Sequence, residues 1–108
     1  MKESSQEYLA LLAYLYLRHG KIAAATTILE GLAILAPGNA WVRATLGYAY
    51  LSGKEFQKCL EQLDRTARNK RSTAEQVMRV RALHGLGRRE EARRLLAELQ
   101  GRLREGNA

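Results

Sequence analysis

Apolar and polar positions follow a helical rhythm along almost the whole chain, and the rhythm repeats. Gly20, Gly53 and Gly87 stand 33 and 34 residues apart, each followed by polar character and then a helical run. A small residue comes five or six positions after each glycine, at Ala25, Cys59 and Ala92. A leucine follows four residues later every time, at Leu29, Leu63 and Leu96. A period near 34 residues is the signature of a helix-turn-helix unit that stacks on copies of itself.

The first helix of each unit supports the same period. Leu12, Ala13 and Tyr16 correspond to Leu46, Gly47 and Tyr50, while the third unit is degenerate, with Arg79, Val80 and Leu83. Small residues at Ala25, Cys59 and Ala92 let two antiparallel helices approach, and the three leucines are placed to fill the space between hairpins. The glycines suit the left-handed position after a helix, where a Cβ is penalised. The second unit reads as one residue short at its inner turn. Ser4-x-x-Glu7 and Ser72-x-x-Glu75 have capping-box spacing, and Asn39, after Pro37-Gly38, is placed as an N-cap. These marks predict six helices, over 6–19, 21–36, 40–52, 54–69, 74–86 and 88–104, with a frayed tail at 105–108.

The run Leu46-Gly47-x-x-Tyr50, with its small and large successors and Pro37 closing the first unit, resembles the tetratricopeptide-repeat (TPR) family. The likeness covers roughly residues 6–104. It implies an all-α fold of about three helix-turn-helix hairpins, near 6–37, 40–71 and 73–104, stacked as one domain in a short right-handed superhelix. It also implies a concave groove lined by the first helix of each hairpin. The family's groove positions fall on Glu7, Ala10, Tyr14 and Leu17, then Trp41, Ala44, Tyr48 and Leu51, then Ala74, Val77, Arg81 and His84. The partner-binding set is therefore Tyr14, Leu17, Trp41, Ala44, Tyr48, Leu51, Val77, Arg81 and His84. Tyr and Trp bury much area at low entropic cost, so an amphipathic helix or extended apolar peptide is the expected guest. The clamp with which some family members grip acidic chaperone tails does not fit, since Ala10 and Tyr14 occupy its charged positions.

Composition narrows the alternatives. The chain has 108 residues, is 46% hydrophobic and 27% charged, and carries a single proline. Leu, Ala, Arg and Glu dominate, all good helix formers, which argues against a sheet. The longest apolar stretch, Tyr8 to Leu17, is about half of the ~20 residues needed to cross a bilayer. The N-terminus is a poor signal peptide, so a cytoplasmic location is the default expectation. Net charge is +7 but uneven: residues 1–37 hold three basic and three acidic groups, 38–71 seven and three, 72–108 eight and five. An acidic partner or a nucleic acid would suit such a balance.

Chemistry finds little footing. Cys59 occupies a buried small-residue position, which favours a core thiol over a reactive one. His19 and His84 stand apart, so no metal cluster, cofactor site or catalytic set is expected, and the chain does not read as an enzyme. His19 belongs to a helix end. Arg88, Arg89, Arg93 and Arg94 alternate with Glu90, Glu91 and Glu98, and pairs such as Glu90–Arg94 indicate a solvated face. The run Arg65, Arg68, Lys70, Arg71 lacks the interleaved aromatics of a nucleic-acid site, which leaves a basic helical-repeat nucleic-acid binder as a minor alternative.

Size and the first repeat, from Leu12 to Pro37 with Leu29-x-x-Leu32-x-x-Leu35, look like the small Y-type TPR chaperones of bacterial type III secretion systems. That likeness implies a bacterial cytoplasmic chaperone, forming a heterodimer with one small secreted protein or its amphipathic helix. A generic TPR adaptor in another assembly is the alternative. An unfilled apolar groove also allows self-association when cargo is absent.

Overall fold

Three turns with the same hydrogen bonding set the architecture. In the computed structural model, which describes residues 3–106, the chain folds as α1 (Glu3–Arg18), α2 (Ile22–Leu35), α3 (Ala40–Ser52), α4 (Phe56–Leu63), a short 3₁₀ turn (Arg68–Lys70), α5 (Thr73–Gly85) and α6 (Arg89–Gly106). No strand occurs among the described residues. Between α1 and α2 the Lys21 N–H donates to the Tyr16 carbonyl at 2.8 Å and the Gly20 N–H to Leu17 at 3.1 Å. The second turn repeats this with Glu55 to Tyr50 at 2.8 Å and Lys54 to Leu51 at 3.1 Å. The third has Arg88 to Leu83 at 2.9 Å and Gly87 to His84 at 3.0 Å. Each is a Schellman closure, which needs one left-handed residue. Gly20 and Gly87 supply it at φ +75° and +79°, and Lys54 supplies it at +62°.

This corrects the reading of the second turn. Gly53 has φ −86°, an ordinary value, and the turn is not short. Its left-handed residue lies four positions after Tyr50, as Gly20 lies after Tyr16 and Gly87 after Leu83. Gly53 is one step out of register with the true equivalents.

The hairpins α1–α2, α3–α4 and α5–α6 stack in sequence order, with α2 against α3, α4 against α5, and α3 touching α5. Ala25, Cys59 and Ala92 are all buried where paired helices meet. Leu29, Leu32, Leu46 and Leu63 are buried in one continuous core, Leu63 beside Gly47 of its own hairpin. Leu96 departs from the expectation: it is exposed, because within these residues no hairpin packs on α6. The stack measures 43 × 29 × 22 Å with a radius of gyration of 14.9 Å. A compact chain of this length would have roughly 13 Å, so the molecule is elongated along its repeat.

Helix ends follow local chemistry. Asn39 Oδ1 accepts from the Val42 N–H at 3.1 Å, and Ser72 Oγ accepts from the Glu75 N–H at 3.1 Å. Ser4 lies inside α1 and so does not mark its start. The tail is helical through Gly106, which corrects the expected fraying at Glu105 and Gly106; Asn107 and Ala108 lie outside the described residues. The largest difference concerns α4, which stops at Leu63 rather than near residue 69. Asp64 to Arg71 offers only Ala67 to a core, so helix there would bury nothing. Its polar groups fasten locally instead. Arg71 Nε donates to the Thr66 carbonyl at 3.1 Å, while the Asp64 carboxylate faces Arg71 at 3.7 Å and pairs with Arg79.

Candidate protein-binding clefts

The residues that the sequence assigned to one groove divide between two clefts. Tyr14 and Leu17 of α1 meet Trp41, Ala44 and Tyr48 of α3 around a cleft of about 530 Å³, which Arg18 and Thr45 complete. Tyr14, Trp41 and Tyr48 are 44%, 45% and 46% exposed. Tyr50, two residues from Tyr48, is buried instead, because helical spacing turns it to the opposite side. Arg18 lies 5.9 Å from the Tyr14 ring centre and donates to its hydroxyl at 3.5 Å, which holds one wall of the cleft by cation–π attraction.

Leu51, Arg81 and His84 line a second cleft of about 670 Å³, between the ends of α3 and α5 and the start of α6. Its bed is apolar, from Leu51, Phe56, Val80 and Leu96, and its rim is basic, from Lys54, Arg81, Arg89 and Arg93. Leu51 is buried in this bed rather than displayed. Val77 is exposed and lines neither cleft. Sequence reasoning missed Arg18, Lys54, Phe56, Arg89 and Arg93. Arg18, Lys54, Phe56 and Arg89 flank the inner turns, and the second cleft joins residues of α3 and α4 to residues of α5 and α6, so no local spacing marks them.

The interior polar groups serve structure. The Tyr50 hydroxyl donates to Glu30 Oε2 at 2.6 Å, tying the first hairpin to the second. Burial first, then this bond, pushes the phenol well above its ordinary range. Glu30 is the only charge in Ile22–Leu35, which was the available sequence signal for a specific partner. Burial pushes the Cys59 thiol up to about 11, slightly opposed by the Arg79 charge, as befits a thiol in a core. The outer face of α6 is ion-paired, though at i,i+3 rather than the expected Glu90–Arg94 spacing: Arg93 faces Glu90 at 3.2 Å and Arg88 faces Glu91 at 2.7 Å. A third cleft of about 590 Å³, lined by Arg71, Arg79, Arg94 and Arg102, also carries Asp64, Glu91 and Glu98, so its charge is mixed. Among the described residues no three His, Cys, Asp or Glu side chains cluster as metal ligands, and no helix is long and apolar enough to cross a membrane.

Comparison with known families settles what the stack is. The tetratricopeptide-repeat profile matches residues 16–78, more than half of the chain. The chain belongs to the tetratricopeptide-repeat family. Among solved structures, it is similar to a crystal structure from Podosopora anserina, described as a kinesin light chain with nearly identical TPR-like repeats. The TM-score is 0.76 at 22% identity, covering 93% of this chain and 55% of that one. At that identity the likeness concerns the fold, and the chain spans about half the length of its structural relative. No curated protein matches the sequence. TPR stacks are protein-interaction scaffolds, generally without catalytic activity, and in this TPR protein both apolar clefts involve first helices.

Proposed function

We propose that this TPR module binds an apolar, amphipathic segment of a partner protein across Tyr14, Trp41 and Tyr48. The supporting observation is that three large rings from two helices converge on one cleft, each nearly half exposed, although the core is already filled. A ring in that state gains by burial against a guest, at roughly 25 cal/mol per Å² of apolar area removed from water. The cleft is open to both an inserted helix and an extended strand. The second cleft, with Arg81 and His84 on its wall, extends the same binding surface toward α6.

The finer form of this proposal makes the module an export chaperone of the type III secretion kind. It would act in the bacterial cytoplasm and pair with one small secreted protein to keep an aggregation-prone segment covered. Support for that form comes from the Leu/Ala pattern of the first repeat, Leu12 to Pro37. Cargo binding would stabilise both chains by mass action. The test uses co-purification from the source cell to identify a partner, then titration of that partner against Trp41→Ala and Tyr48→Ala. We expect affinity to fall at least about tenfold for each, equivalent to ~1.4 kcal/mol, with the helical circular-dichroism signal intact. Unchanged affinity in the folded double variant would overturn the cleft assignment. A partner that is not a secreted protein would overturn the chaperone form and leave an adaptor.

A further inference from the structure

Charge is divided unevenly among the clefts. The two apolar clefts are edged by Arg18, Lys54, Arg81, Arg89 and Arg93, and neither lining includes any of the chain's 11 Asp and Glu residues. The polar cleft of Arg71 and Arg79 differs, since Asp64, Glu91 and Glu98 share it. Arg93 faces Glu90, but Arg18, Lys54 and Arg81 enter no ion pair among the described residues. All three are exposed, so their charge is open to a guest. Tyr14, Arg18, Trp41 and Tyr48 come from two hairpins packed on each other, which places their cleft within the stack and not on a bare end.

The inner turns fix how these charges stand against the rings. Tyr14, Tyr48 and Arg81 each lie six residues before the left-handed residue of their turn, at Gly20, Lys54 and Gly87. They are one position on successive first helices, so a row of two rings runs on into a guanidinium. Arg18 stands at the other side, 5.9 Å from the Tyr14 ring centre. An apolar guest laid over Tyr14, Trp41 and Tyr48 thus meets a cation on each flank. Glu7, the one acid of the expected groove set, lines a separate small cleft with Trp41. A guanidinium stays charged and presents a planar fork that fits a carboxylate. With net charge +7, the chain repels a basic guest on approach and draws in an acidic one. Nucleic acid fits less well, because the aromatic cleft holds a single cation where a strand needs a track of them.

We propose that the partner segment is acidic as well as amphipathic, its carboxylates pairing with Arg18 and Arg81 while its apolar side covers the three rings. This rests on the aromatic cleft being the binding site, and it makes the two arginines the residues that select the partner. The probe is a random peptide library displayed on phage and selected on the 108-residue chain. Selected peptides should combine apolar residues with an excess of Asp and Glu. Binding of the tightest one, made synthetically, is expected to weaken at least about fivefold in Arg18→Gln/Arg81→Gln and to lose most of its salt dependence. Arg94→Gln/Arg102→Gln removes the same charge outside both apolar clefts and should leave affinity unchanged. Neutral or basic peptides that still need Trp41 would overturn the proposal and spare the cleft. An equal loss in both double variants would do the same, since net charge alone would then attract the peptide. An empty selection, or peptides indifferent to Trp41→Ala and Tyr48→Ala, would remove the cleft reading and the proposal with it. Oligothymidine binding more tightly than the peptide at the same salt would overturn the proposal in favour of a single-stranded nucleic acid.

Discussion

Lys54 occupies a backbone position that its two equivalents give to glycine. Left-handed φ costs a residue with a Cβ about 1 kcal/mol, and only the Schellman bonds from Glu55 and Lys54 hold it there. Replacing it with glycine relieves the clash, although it also raises the freedom of the unfolded chain. We expect Lys54→Gly to raise stability by about 0.5–1 kcal/mol and Gly87→Ala to lower it by about 1 kcal/mol, both read from urea midpoints at constant slope. The Cys59 thiol makes a second residue-scale prediction. Its folded pKa is raised from 9.0 to about 11, so the unfolded chain releases the proton first as pH rises. Stability is thus full below pH 9 and declines through about pH 11, by roughly 2–3 kcal/mol from this group. The raised Tyr50 phenol adds to the decline in the same direction above pH 10. Cys59→Ala should flatten the first part of the alkaline decline in chemical denaturation run at each pH.

At the scale of the element, most of the fold was legible. Five of the six helices fall within a few residues of their sequence expectation, because capping residues, turns and apolar periodicity point the same way. α4 was overextended because Arg, Ala and Lys after Leu63 favour helix locally while giving it nothing to bury. Glycines alone misplaced the second turn, since the left-handed site there is filled by a lysine that no propensity marks. A closer contact was invisible for another reason. A Cβ on Gly85 of α5 would come within 2.5 Å of the Phe56 ring on α4, and such pairing between residues 29 apart leaves no local signal. Gly85→Ala should therefore destabilise by about 1–3 kcal/mol, and in combination with Phe56→Leu the loss should be less than additive. Both can be measured in one double-mutant cycle by thermal melts.

For the whole molecule, the candidate site was partly readable. Repeat alignment brought out the aromatic row Tyr14, Trp41 and Tyr48, because equivalent positions on successive first helices become neighbours. It could not show that Leu51 sinks into the bed of a separate cleft, or that α6 contributes Arg89 and Arg93 to its rim. Those facts follow from stacking angles and not from spacing. Each hairpin packs only on its immediate neighbour, so stability is a sum along a row, and the middle hairpin has two neighbours to lose. Leu63→Ala, which empties a buried site against Gly47 inside the middle hairpin, should cost about 2–5 kcal/mol. The polar stretch between α4 and α5 has a consequence of its own. Arg65 and Lys70 are exposed there on backbone outside any α-helix, the arrangement trypsin needs. A cut at either site would sever the covalent thread but not the buried contacts of α4 with α5, so the nicked protein should migrate as one particle on a native gel and as two bands once denatured.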